Sequence, residues 1–131
     1  MARQAPLVLW AEDDPQDQEL IRASLEELPR PPRIAFAADG VSFLEAIGRD
    51  PPNLVVLDLK MPRMGGLDAL RWLRSEPSTR SVPVVVFSSG SLAQEIEQVR
   101  QLGVVDVVQK PIGFDAFAAA VRGIVRSSTL A

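Results

Sequence analysis

Short apolar runs recur five times along the chain, at Leu7 to Ala11, Ile34 to Ala37, Leu54 to Leu57, Val82 to Phe87 and Val104 to Val108. Between them apolar residues fall three and four apart: Leu20, Ile21, Leu25, Leu28; Val41, Leu44, Ile47; Leu67, Leu70, Leu73; Leu92, Ile96, Val99; and Phe114, Phe117, Val121, Ile124. The runs predict strands and the spaced sets predict amphipathic helices, so strand and helix alternate five times. Breakers stand at the joints: PRPPR, Asp39-Gly40, DPPN, EPSTRSVP and Gly103. Strands apolar on both sides, each followed by a helix, predict a parallel sheet covered on both faces and joined by right-handed crossovers. Five strands most simply give the doubly wound order 2-1-3-4-5. The first and third strands are then neighbours, and the crevice beyond their C-terminal ends is the place for a ligand.

Composition narrows what that crevice can do. The 131 residues include no cysteine and no histidine. That removes disulfides, thiol nucleophiles, Cys-ligated zinc, iron–sulfur clusters and the usual general base near neutral pH. Chemistry must run on carboxylates, hydroxyls, amines and backbone amides. Acids outnumber bases 17 to 14, and Lys and Arg are scattered, so neither nucleic acid nor an anionic membrane is an expected partner. No apolar stretch reaches the roughly 18 residues of a membrane span, and MARQAP lacks the apolar core of a signal peptide, so a cytoplasmic location is expected. At this length one core and one domain are expected.

The strand ends carry the chemistry-bearing residues. The first strand runs into Glu12, Asp13 and Asp14, the third into Asp58, the fourth into Ser88 and Ser89, and the fifth into Lys110 and Pro111. Adjacent strands lie about 4.8 Å apart, so Glu12, Asp13 and Asp58 gather carboxylates that would repel one another and raise their own pKa values. A hard divalent cation is the natural neutraliser. Mg²⁺ uses one or two carboxylates, keeps several waters and leaves room for phosphate oxygens. The loop after the first strand, AEDDP, repels a phosphate unless a metal stands between. With G-x-G-x-x-G and the P-loop both missing, dinucleotide and ATP sites are disfavoured. Taken singly, these residues have plainer readings: Asp58 capping a turn, Ser88 as a turn hydroxyl, Lys110 as a solvated surface lysine. Their convergence favours a site. Asp14 and Asp17 read as charges favouring the start of the first helix.

The stretches LVLWAEDDPQDQELI, VVLDLKMPRMGG, VPVVVFSSGS and VVDVVQKP, in this order and spacing over essentially the whole chain, resemble the receiver domain of bacterial response regulators. The resemblance implies a flavodoxin-like receiver fold and a single receiver domain over 1–131 with no output domain. It implies a place in a two-component phosphorelay, where a sensor histidine kinase gives up a phosphoryl group and the signal passes on through altered protein contacts. Asp58 would be the phosphoacceptor. Mg²⁺ would be held by Asp13, Asp58, the backbone carbonyl of Lys60 and, partly through water, Glu12. Ser88 would bind a phosphoryl oxygen and reorient on activation, Lys110 would pair with the phosphoryl group, and a cis peptide would precede Pro111. Such a chain is not an enzyme on an outside substrate; it catalyses only its own phosphotransfer and slow dephosphorylation. AEDDPQDQELI also resembles the subset of stand-alone receivers paired with phytochrome-type kinases.

Several positions depart from the commonest pattern. Val107 stands where many receivers carry an aromatic switch residue. Lys60 has three readings: its ammonium reaches the phosphoryl group, pairs with Glu12, or faces solvent. Gly90 offers no side chain to shield or orient an attacking water. With no output domain expected, output would come from the chain's own surface. On the last helix, Ala116, Ala120 and Gly123 form a narrow strip for a homodimer face together with the fourth helix and fifth strand, although alanine is also simply the best helix former. Two rivals remain. A phosphorylation-independent pseudo-receiver would be a constitutive interaction module. A metal-dependent phosphatase with an aspartyl intermediate would want a second carboxylate where Lys60 stands.

Overall fold

The structure, a computed structural model, describes residues 5–90 and 93–128. Its elements run β1 (Leu7–Ala11), α1 (Pro15–Glu26), β2 (Arg33–Ala37), α2 (Gly40–Arg49), β3 (Leu54–Leu57), α3 (Gly66–Ser75), β4 (Val84–Ser88), α4 (Ala93–Gln101), β5 (Asp106–Gln109) and α5 (Phe114–Ser127). All strands pair parallel in the order β2-β1-β3-β4-β5, the doubly wound arrangement the alternation predicts.

Side chains on a strand alternate between faces, and the core divides accordingly. Val8, Trp10, Leu54, Val56, Val85 and Phe87 face α1 and α5, where Ile21, Leu25, Phe117, Val121 and Ile124 cover them. Leu9, Ala11, Val55, Leu57, Val84 and Val86 face the other layer, closed by Phe43 and Ile47 of α2, Leu70 and Leu73 of α3, and Val99 of α4. Burial on both faces holds for β1, β3 and β4. It does not hold for the edge strands β2 and β5, whose residues are mostly half-buried or exposed because one side has no neighbour.

Local chemistry moves several boundaries. Pro83 has no N–H to give the ladder, so β4 starts at Val84, although the Pro83 carbonyl still accepts from Val55 N at 3.0 Å. The predicted start of β5 at Val104 is early by two residues, since the strand begins at Asp106 after Gly103 turns the chain at φ 75. On α2 the buried stripe is Gly40, Phe43 and Ile47, while Val41 is exposed. On α5 Phe114 is exposed and Phe117 is the first buried residue. Leu92 lies outside the described residues. No described peptide bond is cis, so Lys110–Pro111 is trans, against expectation. Lys110 N still donates to Ser88 O at 3.0 Å, and the reversal into α5 falls at Gly113 (φ 101), so the chain turns without the cis form, which costs about 0.5–1 kcal/mol.

The N-terminal ends of β4 and β5 are tied by Arg74. Its guanidinium donates to the carbonyls of Leu102 (2.7 Å), Val82 (2.8 Å), Arg80 (3.0 Å) and Gly103 (3.2 Å). Burial pushes its pKa down, and among the described residues no carboxylate balances it. Arg74→Met should cost about 2 kcal/mol, lowering the calorimetric Tm by roughly 5–10 °C. An unchanged Tm would mean that the four carbonyls find water at no cost.

Candidate functional site

Strand register decides which residues meet. Ala11 pairs with Leu57, Leu57 with Val86, and Ser88 with Gln109. Glu12 and Asp58 therefore leave the sheet at one level, with Ser88 and Lys110 just beyond them. Asp14 accepts from Gln16 N at 2.9 Å and caps α1, with Pro15 in its first turn, so the chain turns sharply and Asp13 stays exposed at the rim.

Asp58 is 6% exposed, and both carboxylate oxygens are engaged. Oδ1 accepts from Ser88 Oγ at 2.9 Å and from Lys60 N at 3.0 Å; Oδ2 accepts from Lys110 Nζ at 2.9 Å. The same ammonium donates to Glu12 Oε1 at 2.7 Å, and Asp14 N donates to Glu12 Oε2 at 3.2 Å. Glu12, Asp13 and Asp58 each present an oxygen within 4.8 Å of the others. The packing around Asp58 also requires Gly66, where a Cβ would strike the Asp58 carbonyl and lie 2.7 Å from Leu59 Cα.

The electrostatics differ from simple mutual repulsion. Burial is the main cause that lifts the Glu12 pKa, and Lys110 pulls it back. Burial works against the Lys110 ammonium, but hydrogen bonds and charge from Glu12 and Asp58 outweigh it and hold its pKa above the ordinary value. One ammonium thus serves Glu12 and Asp58, with Asp17 Oδ2 3.7 Å from it, while Asp13 adds a further carboxylate to the cluster. The excess negative charge and the hard oxygen donors suit a divalent cation.

The structure brings Glu12, Asp13, Asp58, Ser88 and Lys110 together as the sequence predicts. Lys60 joins them through its backbone N–H. Its exposed side chain does not pair with Glu12; Nζ lies 3.8 Å from where a Cβ on Gly90 would sit, across the mouth of the crevice. Gly90 itself is left-handed, at φ 67. Val107 is half-buried and, with Ser88, Ile96 and Arg100, lines a cavity of about 240 Å³. On α5, Ala116 and Gly123 are exposed and Ala120 is half-buried. Sequence reasoning missed Gln18, whose side chain donates to the Glu12 carbonyl at 2.8 Å, and the reach of Asp17 toward Lys110. Their one signal is position, since the first turn of α1 opens at the crevice.

Comparison with known proteins agrees with this fold. Residues 8–122 match the model of the response regulator receiver domain. The transcriptional regulatory protein KdpE of Mycobacterium tuberculosis (strain ATCC 25618 / H37Rv) is 36% identical over 125 residues, 95% of this chain and 53% of that protein. The chain spans about half the length of the first curated relatives it matches. The phosphorylated cyanobacterial phytochrome response regulator RcpA superposes with a TM-score of 0.85 at 25% identity, covering 92% of this chain and 91% of that one. The bacteriophytochrome response regulator RtBRR gives 0.74 at 31% identity, covering 91% and 77%. Among the described residues no helix is long and apolar enough to cross a membrane.

Proposed function

The chain belongs to the response regulator receiver family, whose members are phosphorylated on aspartate by histidine kinases, and from that premise we propose that Asp58 is its phosphoacceptor. One observation carries the assignment: Ser88 Oγ and Lys110 Nζ, from two other strand ends, rest on different oxygens of one buried carboxylate. A pseudo-receiver would have no use for that arrangement.

In transfer, an Asp58 oxygen attacks the phosphorus; the new P–O bond forms as the bond to the donor's leaving group breaks. Lys110, held as an ammonium, offsets charge building on the phosphoryl oxygens. Ser88 donates to one of those oxygens, and Lys60 N steadies the carboxylate. A bound Mg²⁺ would be held by Asp13, Asp58, the Lys60 carbonyl and, partly through water, Glu12, and it supplies charge neutralisation there. The donor is a sensor histidine kinase. A phytochrome-type kinase is the proposed one, on the likeness to RcpA and RtBRR, both described as phytochrome response regulators. A homodimer through α4, β5 and α5, with the exposed Ala116 and Gly123 on its face, belongs to the same reading.

Incubation with acetyl phosphate and Mg²⁺ should give one phosphoryl adduct by intact mass, and chelating the Mg²⁺ should remove it. Equal yield with and without Mg²⁺ would break the link between the carboxylate cluster and transfer.

A further inference from the structure

Among the described residues Arg63 alone, glycines aside, has a left-handed backbone, at φ 65. It lies three residues after Lys60, in the loop from β3 to α3. Pro62 O accepts from Met64 N at 2.7 Å, closing a three-residue turn centred on Arg63. This is the rare, strained form of the γ-turn. A residue with a side chain persists in such a conformation only where its surroundings impose it, and such sites cluster at ligand clamps and active sites.

Two features impose it here. The Arg63 guanidinium pairs with Asp39 Oδ2 at 2.6 Å. Asp39 is itself fixed, because its Oδ1 accepts from Ser42 N at 2.8 Å and caps α2. The second feature is close packing: a Cβ on Gly40 would run into the Met64 side chain and lie 2.8 Å from the Met64 carbonyl oxygen. The loop therefore rests directly on the start of α2. Its other end is Lys60, whose N–H holds Asp58 Oδ1. Neither Arg63 nor Asp39 bonds to Glu12, Asp13 or Asp58.

We propose that Arg63 and Asp39 are positioning residues, an ion-paired clamp that holds the β3–α3 loop in its strained turn and so sets where Lys60 and Asp58 stand toward a divalent cation. The inference rests on the metal-dependent acceptor reading above.

Two variants separate positioning from folding and from plain charge. Arg63→Gly removes the clamp while accepting the left-handed backbone without strain. Asp39→Asn removes the charge while keeping a good helix cap. If charge alone mattered, losing Arg63⁺ would tighten cation binding and losing Asp39⁻ would weaken it. A clamp makes both changes weaken it. Calorimetric titration of the chain with Mg²⁺ should show each variant binding about 3- to 10-fold more weakly, less than the roughly 10- to 100-fold cost of losing a group bonded directly to a metal ligand. The double variant should be no weaker than the worse single one, and Tm should stay close to that of the parent chain. Opposite shifts for the two variants, or both within about twofold of the parent chain, would overturn the clamp. If the parent chain itself takes up no Mg²⁺, the acceptor reading fails first, and the clamp goes with it.

Discussion

Asp58→Asn should emerge from incubation with acetyl phosphate and Mg²⁺ at its unmodified mass, while remaining folded by circular dichroism. Asparagine has the size of aspartate, and its carbonyl oxygen can still accept from Ser88 Oγ and Lys60 N, which now bond Oδ1. Lys110 keeps Glu12 at 2.7 Å. The substitution therefore removes a nucleophile and a cation ligand without emptying the crevice. The remaining carboxylates cannot take over. Glu12 has Oε1 on Lys110 and Oε2 on Asp14 N, and Asp13 is exposed at the rim with no hydroxyl or ammonium bonded to it. A nucleophile without groups to offset the charge on the transferred phosphoryl has little to recommend it. Full adduct yield in the variant would move the acceptor elsewhere.

The placement of Asp58 was legible because it needs only two facts: buried parallel strands alternate with helices, and an open sheet of this kind binds at the strand ends. Glu12, Ser88 and Lys110 follow from the same rule, which is why four scattered residues could be assigned to one crevice. Their pairing could not be read. Three carboxylates in sequence predict repulsion. In the structure burial is the main cause that raises the Glu12 pKa, and the register that sets Lys110 between Glu12 and Asp58 counters it. Short helices resist reading for a related reason. The apolar spacing of α2 reads as Val41, Leu44 and Ile47, whereas the folded helix turns Gly40, Phe43 and Ile47 inward and leaves Val41 exposed. Arg63 carries no local mark at all. Nothing in KMPRMGG calls for a left-handed arginine, because its partner lies 24 residues earlier in the chain.

Lys110→Met should destabilise the metal-free chain by roughly 3–5 kcal/mol, a large part of the 5–15 kcal/mol that holds a typical domain together. Replacing a whole buried ion pair by apolar groups is often harmless, but this change removes one partner only. The methionine keeps the length of the stem and leaves Glu12 and Asp58, whose side chains are 1% and 8% exposed, without their shared cation. The pH dependence identifies the cause. Burial already raises the Glu12 pKa above its ordinary 4.5. A raised pKa means that the folded chain holds the proton more tightly than the unfolded one. The stability it contributes is therefore present below 4.5 and is lost as pH rises through the folded value. Without Lys110 the hydrogen bond and charge that restrain Glu12 disappear, so the folded value climbs further and the loss extends to higher pH. The Tm gap between the variant and the parent chain should be small in acid and should widen toward neutral pH in calorimetric scans. Added Mg²⁺ should narrow the gap by standing in for the missing charge. A gap constant across that range would mean that the lysine acts through its packing rather than its charge. The rate of adduct formation should also fall by about 10²–10³-fold, the usual cost of losing one preorganised group that stabilises developing charge.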